Sequence, residues 1–238
     1  FYSTMPIDYY TGQNNPAISP ADIFTLFTNT QQTVMCFSAG TMIETLLGQR
    51  AVEDLRIGSA VQIHDGRVER IRWISASKIS ASDLKENPKL RPVRITAGAL
   101  GNGLPTRDLL VSRQHRMLVR SRVAERMFGA REALVSAIKL TALPGIYVDE
   151  SVQEVEYFHI LFDQHEIILA EGAATESLFT GPEALKSVPT KARTELMQLF
   201  PNLARPDYKA TSAAHIPSGR LQTALVARHL KNAKAVFA

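Results

Sequence analysis

The sequence predicts a mainly β protein, a body of short strands preceded by an irregular arm and followed by a helical tail. Three observations carry that expectation. Between residues 36 and 180, short apolar or β-branched stretches recur, separated by glycine, proline and Asp-Gly turn signals. Residues 1–35 are instead rich in Tyr, Thr, Asn and Pro, while residues 181–238 carry apolar side chains at helical spacing between prolines. At 238 residues, 45% hydrophobic and 21% charged, the chain has enough apolar material for a sizeable core.

In the arm, Ser19-Pro20-Ala21-Asp22 suits a helix start, with Ser19 as cap and Pro20 in the first turn, leading into the apolar patch Ile23 to Phe27. In the body, strands are expected at 41–45, 61–64, 70–74, 93–97, 109–111, 117–120, 147–148, 155–162 and 166–170. Gly48, Gly58, Asp65-Gly66, the glycines from 98 to 103 and Pro144-Gly145 punctuate them. Residues 121–136, rich in Ala, Glu, Arg, Met and Leu, read as helix. Helical spacing returns at 183–185, 192–199 and 221–230, with Leu221, Leu225 and His229 or Leu230 on one stripe, and Pro201, Pro206 and Pro217 break the tail. No internal repeat is visible.

Bulk properties exclude several classes. No run of apolar residues is long enough for a transmembrane helix. The opening FYSTMPIDYY lacks a basic stretch and an apolar core, so it is not expected to be a signal peptide, and a start at Phe1 suits a processed product or the tail of something longer. Net charge is +4 with basic residues scattered, which does not suggest a nucleic-acid partner. The single cysteine, Cys36, excludes an intramolecular disulfide and a cysteine-based metal cluster. No cofactor is expected, and the cytoplasm is the default compartment, with secretion or membership of an assembly left open.

Three stretches carry candidate chemistry. Cys36 opens the first, CFSAGTMIETLLG, which is followed by VEDLRIGSAVQIHDG. A lone cysteine is usually a small core residue, but Cys36 stands among polar neighbours at the edge of a strand. In the second, LVSRQHRMLV, Ser112 and His115 lie three apart across a turn between two apolar stretches. A hydroxyl and an imidazole so placed can hold a carbonyl and protonate the nitrogen of a peptide bond, although an isolated pair of this kind is more often a solvated turn. The third, YFHILFDQHEIILAEG, reads as a hairpin with its tip at Asp163-Gln164. His159 and His165 flank that tip, but further metal ligands would have to come from far away, so no metal site is expected; His64 reads as a surface histidine.

In this order the three stretches resemble the blocks of the Hint domain, the self-cleaving fold shared by inteins and Hedgehog C-terminal regions. Cys36 stands in the place of the opening nucleophile. VSRQHRML is similar to the T-x-x-H block, with Ser112 in the threonine place and His115 in the histidine place. The late block is matched by YFHILFDQHEIILAEG, and PVRITAGALGNGLPTRDLLVS and AEGAATES resemble the bacterial Hint branch in particular. The resemblance implies a flat horseshoe of strands over 36–180, with 1–35 as an extein-like arm and 181–238 as a helical tail.

It also implies a reaction. The Cys36 thiolate attacks the Met35 carbonyl and converts the Met35–Cys36 amide into a thioester. His115 protonates the departing nitrogen, Ser112 orients the peptide, and His159, Asp163 and His165 are candidates to assist the thiol or a second step. Met35 replaces the glycine of Hedgehog proteins, and Ser112 replaces threonine but keeps the hydroxyl. No His-Asn pair ends the domain, so full splicing is not expected, and the tail lacks the apolar strand of a sterol-binding region. The substrate is then the chain's own N-terminal segment, and the acceptor is water, a small thiol or a protein amine. The alternatives are an inactive Hint-fold module docking on partners within a larger assembly, and a cysteine protease acting on other proteins. No papain-like signature surrounds Cys36.

Overall fold

The computed structural model describes residues 35–180, 190–205 and 207–237. The expected helix at Ser19–Phe27 and the helical residues 183–185 lie outside them.

Fourteen strands among the described residues form two sheets. The first runs in the order β11 (Ile146–Val148), β7 (Val93–Ile95), β8 (Leu109–Val111), β1 (Phe37–Ser38), β12 (Val155–Leu161), β6 (Trp73–Ile79). The second runs β10 (Glu132–Ser136), β9 (Arg116–Arg120), β14 (Ala173–Glu176), β13 (Ile167–Ala170), β2 (Met42–Thr45), β4 (Ala60–Gln62), β5 (Val68–Arg70), with β3 (Gly48–Ala51) also paired to β2. Apolar residues of both sheets, among them Phe37, Ile43, Val111, Met117, Phe158 and Ile168, meet in one buried cluster. The mainly β expectation holds.

Three segments depart from the sequence expectation. Residues 70–74 are not one strand, since β5 ends at Arg70 and β6 begins at Trp73. Residues 121–136 are not one helix. The chain is helical over Arg122–Phe128, capped by the Ser121 side chain, and ends at Gly129 in the left-handed region (φ 72°). It then becomes strand β10, every residue of which pairs with β9. Ala-Leu-Val-Ser at 133–136 is buried, and pairing against β9 outweighs helical propensity there. The expected hairpin about Asp163-Gln164 is not a hairpin either, because β12 pairs with β1 and β6 while β13 pairs with β14 and β2. The turn is a corner where the chain crosses from one sheet to the other. The real hairpin comes next: β13 and β14 pair through Ala170 and Ala173, and Glu171 and Gly172 between them both take positive φ (49° and 75°), as a two-residue type I′ turn requires.

β1, β3 and β14 were missed because they are only two to four residues long and carry small or polar side chains. In the tail, helices form at Thr190–Leu199 and Gly219–Lys231. The second buries Leu225 and His229 of the expected stripe together with Gln222 and Val226, and leaves Leu221 and Leu230 exposed. Gln222 anchors that face: its side-chain oxygen accepts from the Ser136 N–H (3.0 Å) and hydroxyl (2.9 Å), and its amide donates to Pro217 O (2.9 Å). No helix among the described residues is long and apolar enough to cross a membrane.

Candidate functional site

Strand register builds the site. Phe37 pairs with Phe158 on one side and with Val111 on the other. Continuing both antiparallel registers by one residue puts Cys36 opposite His159 in one direction and opposite Ser112 in the other. Backbone and side-chain bonds extend the ladder accordingly. The Ser112 N–H donates to Cys36 O (3.0 Å), and the Cys36 N–H donates to Ser112 Oγ (3.0 Å). Across the other edge, His159 Nε2 lies 3.6 Å from Cys36 Sγ, and His159 Nδ1 lies 3.0 Å from Met35 O.

These contacts determine the tautomer of His159. A carbonyl oxygen only accepts, so Nδ1 carries the proton and donates to Met35 O. Nε2 is therefore a bare lone pair facing the thiol. One imidazole holds both ends of the reaction an acyl shift would need, the carbonyl to be attacked and the proton to be removed. Trp73 stacks beside it, with ring centroids 6.4 Å apart at 24°.

His115 is reached from the same corner. Its N–H closes the Ser112–His115 turn on Ser112 O (3.1 Å), where the chain leaves β8 for β9. Its Nε2 lies 2.6 Å from Thr175 Oγ1, and the Thr175 hydroxyl donates its own proton to Arg116 O (2.9 Å). Thr175 must therefore accept from His115, which makes Nε2 the protonated nitrogen. Nδ1 is left buried with no hydrogen-bond partner, a lone pair inside the core. The ring stands edge-on to Phe37, with centroids 4.5 Å apart.

The other candidates fall elsewhere. Asp163 is exposed at the corner after β12, and its carboxylate lies 3.2 Å from Arg72 Nε. His165 is buried, but its ring faces the tail: Nδ1 accepts from the Ala213 N–H (3.1 Å), so Nε2 carries the proton. That nitrogen is 3.4 Å from Glu176 Oε2, without the alignment of a hydrogen bond. Glu176, with no exposed side-chain surface, instead accepts from the Arg116 N–H (2.8 Å) and Nη1 (2.9 Å). His64 is partly exposed, 3.7 Å from Glu132.

A Hint domain family model matches residues 35–182. The chain belongs to the Hint domain family. Among solved structures, a bacterial intein-like domain from Clostridium thermocellum is 14% identical, with a TM-score of 0.41 over 60% of this chain and 98% of that one. The gp41-1 intein is 12% identical with a TM-score of 0.38, over 59% and 97% of the two chains. A DnaB intein from Synechocystis sp. PCC 6803 is 12% identical with a TM-score of 0.36, over 60% and 98%. No curated protein matches the sequence.

Burial governs the charges of this Hint site. It pulls His159 down to about 4, against the opposing bond to Met35 O. It pulls His115 down to about 3, helped by the positive field of Arg116 and by the repulsion that His159 and His165 exert when protonated. The same burial pushes the Cys36 thiol well above its ordinary range, only partly countered by the Ser112 side chain. Both imidazoles are thus neutral and the thiol is protonated. In that state a proton transfer from sulfur to His159 Nε2 would create an ion pair in place, with the imidazolium Nδ1–H still bonded to the carbonyl it would polarise.

Sequence reasoning did not single out Thr175, Arg116, Glu176 or Trp73. Thr175 sits in AEGAATES, a stretch quoted for its family likeness, but its hydroxyl becomes meaningful only once β14 pairs Thr175 with Met117 beside His115. Trp73 falls within an expected strand, but only the pairing of β6 with β12 turns its ring toward His159.

Proposed function

We propose that this Hint domain cleaves its own chain by an N–S acyl shift at Met35–Cys36. The observation that carries the reading is His159, bonded through Nδ1 to Met35 O and through Nε2 to the Cys36 thiol. The thiol proton passes to Nε2 as Sγ attacks the Met35 carbonyl carbon. The tetrahedral oxyanion is held by the Nδ1–H of the resulting imidazolium. Collapse breaks the C–N bond and forms the thioester, and the nitrogen of Cys36 leaves as an amine after receiving one proton. The balance is a proton moved from sulfur to nitrogen.

Ser112 keeps the scissile N–H fixed through its hydroxyl. His115, neutral with its Nε2–H committed to Thr175 and Nδ1 a bare lone pair, has no proton of its own to give. The proton that reaches the leaving nitrogen is the one His159 Nε2 took from sulfur, delivered directly or through His115 Nδ1 acting first as acceptor. Water, a small thiol or a protein amine then takes the acyl group, and the arm is released without splicing. His165 and Asp163 have no part in the first step on this reading.

A second reading, an inactive Hint-fold interaction module, is favoured by the burial of Cys36, which is 2% exposed with its thiol held protonated. Intact-mass spectrometry of fresh protein, with and without dithiothreitol, separates the two. Autoprocessing requires thiol-accelerated fragments splitting at Met35–Cys36, lost in Cys36→Ala and strongly slowed in His159→Ala. An unbroken chain after long incubation with thiol sinks the cleavage reading and leaves the module.

A further inference from the structure

The residue before the nucleophile has a receptor of its own. Met35 is 7% exposed and packs in a cluster with Trp73, Leu161, Leu178, Leu196 and Leu203. Its sulfur lies 3.2 Å from Arg116 Nη1, the guanidinium that also holds Glu176. Two members of that cluster, Leu196 on the helix Thr190–Leu199 and Leu203 in the turn Pro201–Ala204, come from the tail, beyond residue 182 where the family match ends. Tyr208 fastens the same stretch to the body, its hydroxyl 2.7 Å from Thr180 Oγ1. The pocket is therefore composite. The body supplies Trp73, Leu161 and Leu178, and the tail closes it over a long, unbranched, apolar side chain.

We infer that the tail segment 190–208 completes a side-chain pocket that selects the residue preceding Cys36, taking a Met-like chain, and so seats the scissile carbonyl on His159. Resting on the proposed acyl shift, this makes the tail a specificity element of the substrate site, not a bystander. A glycine would leave the cavity empty and the carbonyl free to swing. A bulkier ring would overfill it and push Leu196 away.

A size-swap tests the inference. Met35→Phe and Leu196→Ala are made singly and together in the full chain, with Leu199→Ala, an exposed position on the same helix, as control. Thiol-induced cleavage is followed by intact mass, and unfolding midpoints by denaturant titration. Each single pocket variant is expected to slow cleavage by about tenfold to a hundredfold, the range that a displacement of about an ångström produces. The double variant recovers most of that loss, and Leu199→Ala cleaves at the parent rate. Parent-like cleavage in both single variants, or no recovery in the double, overturns the pocket while leaving the acyl shift standing. If the parent itself never cleaves, the proposed function fails, and the midpoints decide the pocket. A recovered midpoint in the double variant upholds it as the Met35 receptor, and additive losses overturn it.

Discussion

Lowering the pH from 7 to 4.5 should cost this domain roughly 5 kcal/mol of stability, because two imidazoles are buried neutral at its centre. His159 is held near 4 and His115 near 3, against an ordinary value of 6.5. Below 6.5 the unfolded chain takes up both protons, while the fold refuses them until about 4, so stability falls as pH falls. Each site contributes about 1.4 kcal/mol per pH unit once well below 6.5, and the pair therefore costs roughly 5 kcal/mol between pH 7 and 4.5. That is comparable with the whole stability of many domains, about 5–15 kcal/mol. His229, also held below its ordinary value by burial, steepens the fall.

The assay is denaturant titration at half-unit pH steps, read through the single tryptophan. Trp73 stacks on His159, so its fluorescence reports directly on the site. His115→Gln, which keeps a side-chain donor toward Thr175 but cannot titrate, should reduce the slope by about 1.4 kcal/mol per pH unit. Stability constant to within about 1 kcal/mol over this range would refute the argument that these histidines are buried and neutral.

Other outcomes follow from the same contacts. Arg116→Met leaves Glu176 buried without its cation and should cost about 3–5 kcal/mol by denaturant titration, much more than Glu176 and Arg116 exchanged together for apolar residues. Thr175→Val removes the acceptor for His115 Nε2–H and should cost about 1–3 kcal/mol, with Thr175→Ser recovering most of it. Gly101, at φ +98°, has no room for a side chain, since an added Cβ would meet the Cβ of Ala235. Gly101→Ala should therefore destabilise by about 1–3 kcal/mol and raise hydrogen exchange at Arg120, whose N–H donates to Val236 O. Iodoacetamide should label native Cys36 at least about a hundredfold more slowly than denatured protein, and equal rates would show that the thiol is neither buried nor held protonated.

Much of this protein was legible in its sequence. The order Cys36, Ser112–His115, His159 pointed to a Hint domain, and glycine-punctuated apolar stretches pointed to a mainly β body, because turn chemistry and β-branched runs are local properties that need no partner to be recognised. Residues in the tail at 192–199 and 221–230 announced their helices by period alone. What the sequence could not decide is what faces what. The two-residue strand Phe37–Ser38 has no strand signature, yet its insertion between β8 and β12 places Cys36 between Ser112 and His159. His159 and His165 looked equivalent about one tip, but the crossing between sheets sends one to the thiol and the other to Ala213. Leu196 and Leu203 join the buried cluster of Met35 from more than a hundred and fifty residues away. Long-range pairing and desolvation are collective, so tautomers, shifted titrations and the pocket around Met35 exist only once the tertiary structure has brought the strands together.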